Sequence, residues 1–242
     1  MAYTLKSSGI ATVCTALIAV DSDGTTIKEF VNATSLTING GVSTSSATWK
    51  GTTRGYFATP TGVDAIVASS GPTMTFASPG VAFFAAFSGA SSGTGAGGYM
   101  YMGFDSTRDR GFGRVSASSA GVWLFSGAAR QTGATALPTD GTTKFSVGGN
   151  YVAGGQKTVY YGLESGSLAS DSTATDADFP GDFIPNKYCA LTGLGSAPGN
   201  YHCIAFFSRA LTLAEMQSLH DDWFNTLFVS GGGDELMGTQ CL

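Results

Sequence analysis

Paired carboxylates are the first side chains to consider, because hydrolysis of a glycosidic bond needs two of them facing one sugar linkage, roughly 5–9 Å apart. The chain contains four glutamates: Glu29, Glu164, Glu215 and Glu235. They are widely spaced, and no predicted strand bears acidic residues at alternating positions. The sequence therefore does not predict a pair of glycosidase carboxylates, and a non-enzymatic protein is expected.

Two glycine-rich motifs could also indicate chemistry. Gly89–Gly93 fits the G-x-S-x-G pattern that presents a nucleophilic serine between a strand and a helix. The following residues, Thr94–Gly98, cannot begin a helix, so a flexible hairpin loop is predicted instead. Gly93–Gly98 also fits the dinucleotide-binding pattern G-x-G-x-x-G, but neither a helix nor a downstream acid supports it. No cofactor is predicted.

The two histidines and the aspartates offer little further chemistry. His202 lies in a predicted strand and His220 on a predicted helix, and a structural role is expected for both. Four aspartates are close in sequence but lack the spacing of an EF-hand loop: Asp171, Asp176, Asp178 and Asp182. No metal site is predicted, with calcium at these aspartates as the minor alternative.

The four cysteines are too scattered for metal ligation: Cys14, Cys189, Cys203 and Cys241. Free cysteines behave as small buried hydrophobic residues, and this is the predicted state. A Cys189–Cys203 disulfide across neighbouring strands stays open as an alternative.

Charged residues are concentrated in one place, the segment Asp105–Arg114. One interpretation is a solvated hairpin tip, whose exposed ion pairs contribute about 0–1 kcal/mol each. The other is an interaction loop, because arginine is enriched in interfaces and the rest of the chain has few charges. The candidate interaction residues are Arg108, Asp109, Arg110 and Arg114.

The composition limits the classes of partner. Only 12% of the 242 residues are charged, and the formal net charge is −5, so nucleic acid is not an expected partner. No run approaches the roughly 20 apolar residues of a membrane span, so a membrane is not an expected partner either. The apolar stretch Ile10–Val20 suits a buried strand better than a signal peptide, which places synthesis in a cytoplasm.

Turn-forming clusters interrupt the sequence about every ten residues, which is typical of an all-β sandwich or barrel. Among these clusters are Asn39–Ser46 and Gly148–Asn150, and the predicted strands include Ile27–Ile38, Val81–Phe87 and Tyr201–Phe207. The length suits one domain, residues 1–228. The glycine-rich residues 229–242 are predicted to form a tail.

One segment departs from the strand pattern. Thr212 and Glu215 have the spacing of a capping box, in which each side chain bonds the backbone N–H of the other residue. After it, apolar residues recur at helical spacing through Leu227. We predict an amphipathic helix over Leu213–Phe228 that packs on the sandwich, with Trp223 and Phe224 as packing anchors.

The segment Tyr201–Phe228 closely resembles the end of concanavalin A-like (laminin-G-like) jelly-roll domains. The resemblance rests on a strand, an "RALS..E"-like turn and a short helix, represented here by Phe207, Arg209, Ala210, Leu211, Thr212, Glu215 and Leu219. It implies an all-β, antiparallel jelly-roll sandwich with one C-terminal amphipathic helix. The E-x-D-x-x-E motif of the glycosidases in this group is absent.

A Trp and a Phe after the helix, here Trp223 and Phe228, resemble the form of this domain in tailed-bacteriophage virion proteins. That resemblance implies a structural protein of the capsid surface, a decoration or cement protein. The expected partners are the major capsid protein and further copies of the chain. The alternative is a lectin-like module that binds a glycan through aromatic residues such as Tyr99, Tyr101 or Trp123.

Overall fold

The structure is a computed structural model, and it describes residues 3–59, 66–75, 80–88, 100–104, 111–116, 119–123, 130–136, 142–152, 156–174, 182–184, 186–188 and 199–229. A short 3-10 helix, Gly9–Val13, precedes the strands, and one α-helix, α1 (Leu213–Leu227), follows them. The strands are β1 Cys14–Val20, β2 Ile27–Glu29, β3 Leu36–Ile38, β4 Ser43–Trp49, β5 Thr52–Thr59, β6 Ile66–Ala68, β7 Met74–Thr75, β8 Val81–Ser88, β9 Met100–Phe104, β10 Gly111–Ser116, β11 Ser119–Trp123, β12 Arg130–Ala136, β13 Lys144–Tyr151, β14 Gln156–Leu163, β15 Ala169–Ala174, β16 Asp182–Phe183, β17 Lys187–Tyr188 and β18 Gly199–Phe207.

Two large antiparallel sheets organise these strands. The first sheet has the order β15-β14-β13-β8-β18-β1-β2, with β5 beside β18 and β4 beside β5. The second sheet has the order β12-β11-β10-β9-β17-β6-β3, and β16 pairs with β7 separately. The predicted fold class, an antiparallel jelly-roll β-sandwich with one C-terminal helix, is confirmed.

The first sheet is the middle layer of three, because both of its faces are covered. In β8, Val81, Phe83, Ala85 and Phe87 lie in the core between the two sheets. The alternate residues of the same strand, Ala82, Phe84 and Ala86, pack on the other face together with α1. A strand buried on both faces must be apolar at successive positions, which explains the uninterrupted hydrophobic run at residues 81–87.

The helix α1 begins at the predicted capping box. The Thr212 hydroxyl accepts a hydrogen bond from the Glu215 N–H (3.2 Å), and the Glu215 carboxylate accepts one from the Thr212 N–H (2.8 Å). Two hydrogen bonds from the Arg209 guanidinium lower the pKa of Glu215 to about 2. Near its end the helix is kinked at Asp222, whose carboxylate caps the last turn through the Asn225 N–H (3.0 Å).

Replacing Thr212 with alanine tests the capping box. We expect Thr212→Ala to lower the free energy of unfolding by about 1 kcal/mol, because the Glu215 N–H loses its acceptor. The measurement is urea denaturation at neutral pH. Ser218→Ala is the matched control, since that exposed hydroxyl bonds only the Ala214 carbonyl one turn earlier (2.9 Å) and its loss should change stability by about 0.5 kcal/mol or less. Equal losses of unfolding free energy in the two variants would contradict the role of Thr212 as the helix cap.

The predicted single strand Ile27–Ile38 is wrong, because the structure divides it into β2 in the first sheet and β3 in the second. Glu29 explains the break. Its buried carboxylate accepts hydrogen bonds from the N–H groups of Val31 (3.0 Å) and Asn32 (2.6 Å), which turns the chain out of β2. Ala33 follows with a φ of 51°, a conformation that no strand residue adopts.

Two predicted turn clusters contain strand residues. In Asn39–Ser46 the turn is confirmed at Gly40 and Gly41, but Ser43–Ser46 form the first half of β4, and Gly148–Asn150 lies inside β13. A glycine is needed at position 148 because α1 packs closely against this strand. A Cβ at this position would lie 3.0 Å from the Met216 sulfur and 3.1 Å from the Phe83 carbonyl oxygen. The glycine therefore makes room for the helix instead of forming a turn.

Among the described residues, α1 is too short and too polar to cross a bilayer, and no other helix could do so.

Candidate ligand-binding site

The predicted interaction loop falls largely outside the described residues. Arg108, Asp109 and Arg110 lie outside them, and Arg114 is described only as a backbone position in β10. Whether these four residues form an interaction site stays a prediction.

Two of the three aromatic residues of the lectin alternative lie on strands of the second sheet that are separated by β10. Tyr99 is outside the described residues, whereas Tyr101 and Trp123 lie on β9 and β11. Tyr101 is directly opposite Gly113 of β10, and Gly113 is directly opposite Gly121, two residues before Trp123. The backbone register therefore brings these two aromatic positions to one region of the sheet.

The three described glutamates are each bound within the protein. Glu215 forms the helix cap described above, and Glu29 accepts the Leu17 N–H (3.2 Å) in addition to its loop contacts. Glu164 accepts the backbone N–H of Lys50 and pairs with Lys144 (3.6 Å). These carboxylates hold backbone segments together. Glu235 lies outside the described residues.

The described acidic and sulfur groups give no metal site: within this part of the chain, no three His, Cys, Asp or Glu side chains converge. Of the aspartate group, Asp171 accepts a hydrogen bond from the Tyr161 hydroxyl (3.3 Å), Asp182 is described only by its backbone in β16, and Asp176 and Asp178 lie outside the described residues.

The described cysteines, Cys14 and Cys203, are free thiols, and burial raises the pKa of both well above its usual range. They are not reactive nucleophiles. The Cys189–Cys203 disulfide is therefore not formed, while Cys189 and Cys241 themselves lie outside the described residues.

One serine–histidine pair does have hydrogen-bond geometry. The Ser146 hydroxyl lies 2.7 Å from His220 Nδ1, and His220 Nε2 lies 2.9 Å from the Gly166 carbonyl oxygen. Because a carbonyl only accepts, Nε2 bears the proton and Nδ1 accepts from the hydroxyl, as in a nucleophile–base pair. Both side chains have 0% exposure, so no substrate can reach them. The pair attaches α1 to β13 and to the loop after β14.

His202 is buried for a different reason. In the pairing of β18 with β8, Tyr201 is opposite Phe87 and Cys203 is opposite Ala86, which leaves His202 as the extra residue of a β-bulge. Its ring packs near Trp49 (5.5 Å between centroids) and Tyr56 (5.8 Å), and Nδ1 has no hydrogen-bond partner among the described residues. Burial lowers its pKa to about 4, so it is neutral at pH 7.

An open cleft of about 400 Å³ lies where the segment after residue 3 meets the end of α1. Its lining combines aromatic, aliphatic and polar side chains: Tyr3, Ile27, Lys28, Glu29, Phe30, Ala33, Thr34 and Leu36. The N-terminal segment is held there by the end of α1, because the Lys6 N–H bonds the Leu227 carbonyl and the Val229 N–H bonds the Thr4 carbonyl, both at 2.8 Å. This pairing places Tyr3 across from the β2–β3 loop.

The aromatic wall of the cleft is backed by the helix. The Tyr3 ring contacts the edge of Phe224 (4.6 Å between centroids) and lies 5.4 Å from Phe228. Phe30 makes an edge-to-face contact with Phe228 (4.9 Å). Rings held in this way present a fixed apolar surface at small entropic cost.

The polar wall of the cleft has a formal charge of −1, from Lys28, its ion-pair partner Asp21 and Glu29. Lys28 forms an ion pair with the buried Asp21 while its side chain remains 45% exposed. Burial alone would raise the pKa of Asp21, but hydrogen bonds from Lys28 and from the Ser22 and Tyr3 backbones outweigh it and lower that pKa. Backbone N–H groups also bind the Glu29 carboxylate, and the other lining residues with polar side-chain groups are Tyr3, Lys28 and Thr34.

No sequence motif indicates this cleft. Tyr3 and Phe30 belong to no motif, and they come together only because the N-terminal segment pairs with residues 227–229. A prediction would have required knowledge of where the helix ends, together with the buried Glu29 that turns the β2–β3 loop.

Comparison with known proteins identifies a fold class. No protein-family profile matches the sequence, and no curated protein matches it. Solved structures do: the binding domain of Paraclostridial Mosquitocidal Protein 1 matches with a TM-score of 0.57 at 11% identity, over 90% of this chain and 54% of that one. The antiparallel β-sandwich of such binding domains is thus the class to which this fold belongs.

Two further structures share this sandwich. A Trypanosoma rangeli sialidase in complex with sialic acid matches with a TM-score of 0.52 at 10% identity, over 86% of this chain and 33% of that one. Botulinum neurotoxin type C, whose cell entry depends on two ganglioside molecules, matches with a TM-score of 0.51 at 9% identity, over 88% of this chain and 51% of that one. The chain spans about a third to a half of the length of these proteins, and the likeness is one of fold.

Proposed function

We propose that the protein is a carbohydrate-binding module that holds its glycan without cleaving it. The observation that supports this most is the cleft between Tyr3 and the β2–β3 loop, which joins an apolar wall to a small number of polar groups. Ligand sites are typically concave and mostly apolar, with few convergent hydrogen-bonding groups. Sugars match such a site because each ring has apolar C–H faces and a rim of hydroxyls.

The chemistry of the cleft fits a sugar. The rings of Tyr3 and Phe30 and the side chain of Leu36 would pack against C–H faces, while the Lys28 ammonium and the Thr34 hydroxyl would bond the ligand's oxygens. The similar structures support the same class of ligand, since one is a sialidase with bound sialic acid and another concerns ganglioside binding. Binding without cleavage agrees with the internal bonding of Glu29, the one carboxylate lining this cleft.

An array of immobilised glycans that includes ganglioside and other sialylated sugars tests this proposal. We expect retention on a defined subset of sugars above the blank surface, with no release of reducing sugar from the retained glycans after prolonged incubation. Signal no higher than the blank on every glycan would contradict the binding function. Cleavage of a retained glycan would contradict the non-enzymatic half of the proposal.

The narrower hypothesis of a capsid decoration protein receives no support from the similar structures named above. It rests on Trp223 and Phe228, which are buried at 3% and 1% exposure and pack against neighbouring rings of the helix end. Those residues therefore have a structural explanation that does not require a virion. The coat-protein partner and the capsid location stay predictions, and ordered copies on an icosahedral lattice in particle cryo-electron microscopy would establish them.

A further inference from the structure

The strand β4 forms an outer edge of the first sheet. It pairs only with β5 among the described strands, in an unbroken register from Ser43 opposite Ala58 to Trp49 opposite Thr52. The connecting residues, Lys50 and Gly51, both have positive φ (42° and 83°), which defines a two-residue hairpin turn. The other edge of β4 meets no described strand.

This edge lacks the features by which β-proteins prevent edge-to-edge pairing. Such features are lysines, prolines and bulges within the strand. The sequence of β4, STSSATW, contains no charge and no proline, and its register with β5 has no irregularity. Ser43, Ser45, Ser46 and Thr48 are exposed.

The hairpin geometry determines which backbone groups are unpaired. In an antiparallel pair, alternate residues bond the partner strand, and in a two-residue hairpin the residues flanking the turn are a bonded pair. Trp49, Ala47, Ser45 and Ser43 therefore bond β5. The N–H and C=O groups of Thr44, Ser46 and Thr48 point away from it.

We propose that β4 is a pairing surface for β4 of a second copy of this chain, related by a two-fold axis at Ser46. In antiparallel self-pairing, Ser46 faces Ser46 and Thr44 faces Thr48, so every unpaired residue meets an unpaired residue and roughly six backbone hydrogen bonds form. Facing serine and threonine side chains are favourable cross-strand pairs. Two lysines lie near this edge: Lys144, whose ammonium bonds the Thr48 hydroxyl (2.9 Å), and Lys50 in the turn. Since Thr48 faces Thr44 and Lys50 faces Val42, neither lysine is directly opposite its own copy.

Self-pairing would join the first sheets of two molecules into one continuous sheet. It would place two copies of the Tyr3 cleft in one particle, and paired sites raise the avidity for a surface that displays many glycans. The dimer does not depend on the glycan proposal, since it rests on β4 alone.

Matched lysine variants test the pairing by sedimentation. In the dimer, Ser46 of one copy is opposite Ser46 of the other copy, whereas Ser45 is opposite Ala47 of the other copy. We therefore expect a wild-type dimer at micromolar concentration, a monomer for Ser46→Lys because two ammonium groups meet, and a dimer for Ser45→Lys. Circular dichroism confirms that both variants are folded. A monomeric wild type, or the same association state in both variants, overturns the proposal.

Cysteine variants give an independent measurement. The two Ser46 Cα atoms would lie roughly 5.5 Å apart as a bonded pair, within the range of a disulfide. We expect Ser46→Cys to form covalent dimers under mild oxidation at least tenfold faster than Ser45→Cys. Equal rates of cross-linking for the two variants contradict the proposed register.

Discussion

Lowering the pH from 7 to 5 is expected to reduce the free energy of unfolding by about 2 kcal/mol, because His202 stays mostly neutral in the folded state but takes up a proton in the unfolded chain. Burial in the β-bulge lowers the pKa of His202 from 6.5 to about 4. Between these values the unfolded chain binds a proton that the folded chain does not. The contribution of His202 to the free energy of unfolding is therefore complete above pH 6.5. It is lost as the pH falls toward 4, and the total loss is about 3 kcal/mol.

The pH window separates this effect from that of the carboxylates. Glu215 and Asp23 have pKa values lowered to about 2, so their contribution to stability is lost only below the usual carboxyl pKa values of 4.5 and 3.8. Burial also lowers the pKa of His220, which adds to the histidine effect in the same direction.

Urea denaturation at pH 7 and pH 5 measures the effect in the wild type and in His202→Phe. The phenyl ring keeps the contacts with Trp49 and Tyr56 but does not titrate. We expect the variant to retain only the pH dependence that His220 provides. Equal losses of stability in both proteins would show that His202 is not responsible.

Gly80→Ala is expected to destabilise the protein by about 3 kcal/mol or more, because two penalties coincide at this position. Gly80 has a φ of 84°, in the left-handed region that costs other residues about 1–2 kcal/mol. A Cβ would also lie 2.3 Å from the Tyr151 carbonyl oxygen and 2.8 Å from a Val152 methyl group. The backbone oxygen cannot move without disturbing the pairing of Tyr151 with Val81.

Gly24→Ala is the matched control for the backbone penalty alone. Gly24 has a φ of 73°, and nothing lies within 4 Å of the position that its Cβ would occupy. We expect this variant to lose about 1 kcal/mol in the same denaturation experiment. If the two alanine variants lost the same stability, the close approach of β13 to Gly80 would be refuted.

The elements that are local in sequence were predictable. The capping box of Thr212 and Glu215 and the apolar stripe after it gave the helix to within one residue, since both depend on neighbours within one or two turns. The run at residues 81–87 predicted β8 because a buried strand needs apolar residues at successive positions.

Features that depend on distant packing were not predictable. In the sequence Gly148 has the character of a turn residue, and only the packing of Met216 from the helix explains its place in a strand. Glu29 has the character of a surface residue, and only its hydrogen bonds to the following loop explain its burial. The candidate cleft belongs to this second kind, because Tyr3 and Phe30 come together only through the pairing of the N-terminal segment with the end of α1.

The most direct test of the glycan-binding cleft is a calorimetric titration of the glycan retained on the array into two threonine variants. Thr34 lines the cleft, whereas Thr37 lies exposed on β3 outside it. We expect Thr34→Trp, which fills the cleft, to weaken binding at least tenfold, which corresponds to about 1.4 kcal/mol, and Thr37→Trp to bind like the wild type. Unchanged affinity in Thr34→Trp, with both variants folded, would contradict this account.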